Sequence, residues 1–144
     1  MASKNIRLLK KAIFDKLNSD TQLRTLLGGE GKIVSSQPLK ETKYPCVVYS
    51  IITDTDFPYN ETKEGSNITQ TWFRVTIFSK DSKTEESDNI EERVKALLHG
   101  QRTLDTDEII CYSCFRDNRL EAMRDPELRT WVTPTRYKIS WGVK

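Results

Sequence analysis

The stretch TQTWFRVTIFSKD, residues 69–81, is the most strand-like part of the chain. With the two-residue period of a β-strand, one face of it carries the mostly apolar set Thr71, Phe73, Val75 and Ile77. The other face carries Trp72, Arg74, Thr76 and Phe78. The first set belongs in a core. The second combines two aromatic rings with an arginine and a threonine, so it fits neither a core nor a solvated face.

Length and composition predict a single domain, 1–144, with a modest core. A chain of 144 residues suits one hydrophobic core. Apolar residues make up 36% of it and charged residues 31%, which is polar for a globular chain. Such a domain would gain from burial against copies of itself. The net charge of +2 comes without a basic block, which disfavours a nucleic-acid binder.

The sequence has no feature of a membrane or secreted protein. It lacks a run of about 18 apolar residues, and the charged N-terminus, MASKNIRLLKKAIFDKL, lacks the apolar segment of a signal peptide. The cysteines, Cys46, Cys111 and Cys114, are odd in number, which argues against a disulfide framework. These features predict a chain made in the cytoplasm, with no membrane partner.

Helical periodicity indicates three amphipathic helices. The first covers 3–18, and a short second helix covers about 20–27 and ends at a glycine pair. The third is predicted to begin at a capping box formed by Ser82 and Glu85, and to end just before Gly100.

Runs of β-branched and aromatic residues indicate the strands. They lie at 32–35, 46–53, 68–79, 108–115 and 129–141, with 119–124 either prolonging the fourth strand or forming the next. Pro134 cannot donate a ladder hydrogen bond, so the last strand is predicted to be an edge strand or to be bulged there. The order of elements predicts an α+β domain in which helices pack on one face of an antiparallel sheet.

Residues 54–67, DTDFPYNETKEGSN, are predicted to form a long protruding loop between two paired strands. Turn-forming residues dominate this segment. Its charge is acidic, with Asp54, Asp56, Glu61 and Glu64 against Lys63. Loops of this length in a compact domain are usually functional or disordered.

Cysteine and histidine do not predict an active site. Cys111 and Cys114 form a CxxC pair, but residues three apart on a strand face opposite sides, so the thiols are not expected to converge. The single histidine, His99, sits at a predicted helix C-terminus, where a partial positive charge is favourable.

Two pairs of aspartates have a spacing compatible with metal binding. Asp54 with Asp56, and Asp105 with Asp107, lie in turn-rich segments, where aspartate commonly caps helices and forms turns. The sequence therefore predicts no catalytic residues, no metal ligands and no cofactor.

The outward strand faces carry a distinctive set: Trp72, Arg74, Phe78, Arg136 and Lys138. Aromatic residues and arginine are enriched at the centres of protein–protein interfaces. We expect this set to pack against another subunit. The alternative is that a helix of the same chain covers it.

The order of motifs resembles that of a phage tail-completion family. LKKAIFDKLNSDTQLRTLLGG has the family's amphipathic helix followed by D-x-x-L-x-x-L-x-G-G, and KIVSSQP and YPCVVYSI match its next two strands. QTWFRVTIFSKDSKTEESDNIEERVKALLHG matches its strand and acidic-capped helix. RDPELRTWVTPTRYKISW matches its C-terminal hairpin, R-D-P-x-x-R-x-W followed by R-Y-x-x-x-W. The acidic loop and the stretch CYSCFRDNRLEAM depart from the family pattern.

This resemblance implies a structural virion protein without enzymatic activity or cofactor. Members of the family form rings, typically of six subunits, that terminate the tail tube and join it to the head connector. The expected partners are copies of this chain, the tail tube protein and the head connector or adaptor protein. DNA is expected to pass through the bore of the ring without specific binding. The expected location of the protein is the head–tail junction of the virion.

Two other functions compete with the ring. A head-completion or minor tail adaptor protein of the same morphogenesis module would be a monomer that binds the portal side. A metal-dependent hydrolase would use one of the two aspartate pairs.

The acidic loop carries a hypothesis of its own. It would either line the bore, where carboxylates repel DNA phosphates, or contact the tube or the connector. The residues concerned are Asp54, Asp56, Phe57, Tyr59, Glu61 and Glu64.

Overall fold

The computed structural model of the protein describes residues 2–39, 44–56, 68–80, 85–119, 123–125 and 130–143. Its elements, in chain order, are α1 Ala2–Asn18, α2 Thr21–Leu27, β1 Ile33–Ser35, β2 Cys46–Asp56, β3 Thr69–Ser79, α3 Glu85–Leu98, β4 Ile109–Arg119, β5 Met123–Asp125 and β6 Thr130–Val143. The α+β fold class is confirmed. The predicted capping residue Ser82 lies outside the described residues.

The strands form one sheet in the order β1-β2-β3-β6-β4, with β5 also pairing β6. The pairs β2–β3, β3–β6, β4–β6 and β5–β6 are antiparallel. The predicted antiparallel pairing holds except at one edge, where β1 runs parallel to β2 with Ile33 opposite Val47. A long connection separates these two strands, whereas a short turn would have forced an antiparallel pair.

The hydrophobic core lies between one face of the sheet and the helices. Every second residue of β3 is buried, from Thr69 to Ser79, and Phe73 stacks on Tyr137 of β6 with ring centroids 5.4 Å apart. Each helix buries a stripe: Leu9, Ile13 and Leu17 in α1, Leu23 and Leu27 in α2, and Ile90, Val94 and Leu98 in α3. The predicted packing of helices on one face of the sheet is therefore confirmed.

One carboxylate connects the start of α2 to α3. Asp20 caps α2 by accepting a hydrogen bond of 2.8 Å from the Leu23 N–H. The Arg93 guanidinium of α3 donates to both of its oxygens, at 2.6 and 2.8 Å. These bonds from Arg93 hold the pKa of Asp20 below its usual range.

β2 is longer than predicted and takes in part of the predicted loop. A β-bulge at Ile52 shifts its register, and pairing with β3 then continues as far as Asp56, opposite Thr69. Asp54 and Asp56 therefore lie in a paired strand. The other residues assigned to the loop, Phe57, Tyr59, Glu61 and Glu64, lie outside the described residues.

β6 is a central strand and its register with β3 is unbroken at Pro134, so the prediction of an edge strand or a bulge there is wrong. Pro134 lies opposite Thr76 of β3. On the other side of β6, β4 ends opposite Thr135 and β5 begins opposite Val132. Pro134 lies between these two points. A central strand tolerates this proline because neither β4 nor β5 has a residue in register with it.

Replacing Asp20 by alanine is expected to lower the free energy of unfolding by at least about 1 kcal/mol at neutral pH, because α2 loses its cap. The wild type is also expected to lose stability in acid. The pKa of Asp20 is lower in the folded chain than in the unfolded chain. Its contribution to the free energy of unfolding is therefore complete above the unfolded pKa of about 3.9, and it is lost as the pH falls through the folded pKa.

Urea unfolding of both chains from neutral pH to about pH 2 measures this effect. The difference between wild type and Asp20→Ala should shrink with acidification, while the exposed control Asp107→Ala should follow the wild type throughout. A difference that stays constant in acid would contradict the linkage.

Candidate interaction surface

The sheet face turned away from the helices, here called the open face, carries all five residues predicted to form an interface. They are Trp72, Arg74 and Phe78 of β3, with Arg136 and Lys138 of β6. The register places Trp72 opposite Lys138 and Arg74 opposite Arg136. The three helices that the structure describes contribute to the core on the other face, so none of them covers this set.

Three rows of side chains cross the open face from strand to strand. They are Trp72–Lys138–Phe115, Arg74–Arg136 and Phe78–Val132–Met123. Trp72 and Phe78 are half-buried, whereas Phe115 is 45% exposed and Met123 55% exposed. Phe115 and Met123 lie opposite positions of β6 that are six residues apart, and each extends a row that also holds a half-buried aromatic ring.

Three contacts hold aromatic rings of the open face in place, one of them the edge-on packing of the His99 ring against Phe115 with centroids 5.3 Å apart. The Lys138 Nζ lies 5.1 Å from the centroid of the Trp72 ring, which is cation–π geometry. Tyr44 packs on Phe78 with ring centroids 5.7 Å apart. The rings are therefore presented in fixed positions before any partner arrives.

The charge of the open face is positive. Arg136 donates to Asp117 through Nε and Nη2, at 2.9 and 2.6 Å. Arg74 is exposed and makes no ion pair with any residue that the structure describes. Arg74 and Lys138 therefore leave the surface with cations that Asp117 does not neutralise.

Phe115 and Met123 are members of the open face that sequence reasoning missed. β4 has bulges at Tyr112 and Asp117, and each bulge adds a residue that reverses the in–out alternation of the strand. The alternation visible in the sequence consequently assigns no consistent face to β4.

The same bulge corrects the expectation about the CxxC pair. Cys111 and Cys114 are both fully buried in the core, because the extra residue at Tyr112 brings them to the same face. Burial raises the pKa of both thiols. They are therefore protonated and pack as small apolar groups.

His99 and the second aspartate pair serve local structure. The His99 Nδ1 accepts a hydrogen bond of 3.0 Å from a backbone N–H of β4. Asp105 accepts from the Cys111 N–H and from Arg102, and Asp107 is exposed. Within the described ranges, no three His, Cys, Asp or Glu residues are grouped as a metal site requires. None of the helices described there is long and apolar enough to cross a membrane.

Comparison with known families matches residues 11–139 to the family described as Tail completion protein gp17. The chain belongs to this family. Among solved structures, a chain from the virion of a native gene transfer agent particle matches with a TM-score of 0.67 at 11% identity, over 90% of each chain. At that identity the likeness shows a shared fold. No curated protein matches the sequence.

As a member of the tail completion family, the chain is a structural protein of a phage tail and not an enzyme. Its place is the virion, and its partners are other tail or head proteins in general. A structural protein acts through the surfaces that it presents to neighbours. Among the described residues, the open face has the aromatic and arginine composition of an interface.

The open face is expected to contribute little to the stability of the isolated chain. Arg74→Ala should change the free energy of unfolding by less than about 0.5 kcal/mol, because the side chain is exposed and unpaired among the described residues. Phe73→Ala, at the next position but on the core face, should cost about 3–5 kcal/mol. Urea unfolding of the two variants checks this, and a large loss for Arg74→Ala would assign that residue to folding.

Proposed function

We propose that this chain assembles into a ring, of six subunits, at the head-proximal end of a phage tail. The ring terminates the tail tube and joins it to the head connector. Membership in the tail completion family supports a role at the completed tail. The observation that carries the proposal is the open face, where aromatic side chains that are half-buried or exposed lie in register with cationic side chains of neighbouring strands.

The charge of the open face favours a head-to-tail contact over a two-fold one. A two-fold axis would place the same surface of two copies together. Arg74 and Arg136 would then meet a second pair of arginines, and like charges across an interface cost several kcal/mol. A contact with a different surface of the neighbour avoids this cost, and repeated head-to-tail contacts close into a ring.

The composition of the face fits such a contact energetically. Interface centres are enriched in tryptophan, tyrosine and arginine, and a few of these side chains supply most of the binding energy. Trp72, Phe78 and Phe115 would be desolvated between subunits, with Arg74, Arg136 and Lys138 pairing with acidic groups of the neighbour. The small, polar chain would thereby add buried apolar surface that its own core lacks.

Reversing the charge of the open face is expected to abolish assembly without unfolding the chain. The variant carrying Arg74→Glu and Lys138→Glu should stay monomeric where the wild type forms a ring, in solution or on purified tails that lack this protein. In an infected cell it should leave tails of uncontrolled length and heads unattached. Light scattering and negative-stain imaging measure the two effects.

The matched control is Arg7→Glu, a charge reversal at an exposed position of α1. It should assemble as the wild type does. If the wild-type chain stays monomeric but binds the head connector, the ring proposal is wrong. The role of a head-completion or minor tail adaptor protein would then take its place.

The acidic segment, residues 54–67, is proposed to face the bore of the ring. Asp54 and Asp56 lie at the end of β2, and Glu61 and Glu64 follow in the sequence. Carboxylates around a channel repel DNA phosphates, which would let DNA pass without binding. The competing role of this segment is contact with the tube or the connector.

Neutralising the segment separates these two roles. Glu61→Gln with Glu64→Gln should leave assembly and head attachment intact and slow the passage of DNA, measured as the rate of DNA ejection. Removal of residues 58–64 should do the same. Loss of head attachment in either variant would assign the segment to partner contact.

A further inference from the structure

We propose that the surface which covers the open face is the outer side of α3 from the neighbouring copy. This inference rests on the proposed ring and names its second contact surface. A head-to-tail ring needs two different patches on each subunit, and the open face is only one of them. The second patch has to be acidic, because the open face leaves Arg74 and Lys138 without carboxylate partners among the described residues.

The exposed stripes of the three helices differ in charge. The stripe of α1 carries Arg7, Lys11 and Asp15; that of α2 carries Thr21, Gln22 and Thr25; and that of α3 carries Glu85, Asn89, Glu92 and Ala96. The first stripe is therefore net positive, the second neutral and the third negative by two charges. Of the three, only α3 is complementary to a cationic partner.

Most of the other charged groups of α3 are engaged within the subunit, and Lys95 is half-buried on the same helix. The Ser79 hydroxyl donates to Glu86, the guanidinium of Arg116 donates to Glu91, and Arg93 bonds Asp20. Glu85 and Glu92 make no ion pair with a described residue and point to the outside. They are the carboxylates that α3 has available for another chain.

The spacing of the charges allows both pairs to form at once. Glu85 and Glu92 are two helical turns apart, which is about 10 Å along the axis. Arg74 and Lys138 are diagonal neighbours on adjacent strands, about 7–8 Å apart. The long side chains on both surfaces span the difference.

The shape of the contact follows a common packing arrangement. Helices pack flat on sheets, and the helices that the structure describes all lie on one side of the sheet. An α3 from the neighbour would complete a three-layer arrangement in which the sheet lies between its own helices and a foreign one. Ala96 lies between Glu92 and the C-terminus of α3. Its small side chain would let the helix approach the aromatic rings of the open face closely.

Two charge-reversed chains test this pairing. The face variant carries Arg74→Glu and Lys138→Glu, and the helix variant carries Glu85→Lys and Glu92→Lys. Each alone places like charges at every contact, so its assembly should weaken at least about 100-fold in concentration. Mixed in equal amounts, the two should form rings of wild-type size in which they alternate, because every contact then joins opposite charges.

The chain that carries all four changes should also assemble, since each of its contacts is reversed on both sides. Sedimentation velocity and native mass spectrometry, on full-length chains or on tails that lack this protein, measure size and composition. The control is Arg7→Glu on α1, which should leave assembly unchanged. Urea unfolding of each isolated variant should show a folded chain, with a lower urea midpoint for the helix variant because Glu85 lies in the first turn of α3, where negative charge is favourable. Should a reversed chain be unfolded, Glu85→Gln with Glu92→Gln takes its place and should weaken assembly at least tenfold.

The outcomes separate this inference from the proposed function. A helix variant that forms rings as the wild type does would overturn the role of α3 and leave the ring proposal intact. A mixture that stays monomeric would also overturn it. A wild-type chain that never forms a ring, even on tails, would overturn the proposed function itself.

Discussion

The pairing of β3 with β6 is the constraint on which the rest of the structure depends. Eleven residue pairs join the two strands, from Thr69–Trp141 to Ser79–Trp131. One face of this ladder holds the stacked rings of Phe73 and Tyr137 and is sealed by the helices. A slip of one residue would turn that set to solvent, so burial fixes the register. The same register decides, without any further choice, which side chains line the open face.

Polar groups of the interior also hold α3 in place. Glu91 is only 1% exposed and lies 2.7 Å from the Arg116 guanidinium of β4. Removing one partner of such a pair leaves a buried charge, so the pair penalises alternative orientations more than it adds net stability. With Glu86 bonded to Ser79 on β3, α3 is held at two points along its inner side, and Glu85 and Glu92 are thereby left on its outer side.

Much of the fold could be predicted because most elements alternate regularly. The period of β3 and the stripes of the helices gave the core face, and the same alternation placed Trp72 and Arg74 on one surface. The bulges at Ile52, Tyr112 and Asp117 could not be predicted, because one inserted residue has no signature in composition. After the bulge at Ile52, β2 continues past the end of the predicted strand. The bulge at Tyr112 places both thiols on the core face, and because of it the sequence alternation did not assign Phe115 to the open face. The parallel β1 was missed because three residues do not reveal a strand direction.

The open face has a cost for the isolated subunit, and that cost is itself evidence of a partner. Arg74 and Arg136 lie directly opposite each other on neighbouring strands, where like charges are destabilising. The bulge at Asp117 offsets part of this by bringing a carboxylate to Arg136. Arg74 keeps its charge, beside a tryptophan that the fold leaves half-buried. An anionic surface laid over the sheet would relieve the repulsion and exclude water from the ring in one step, so the features that weaken the subunit are those that an assembled ring would use.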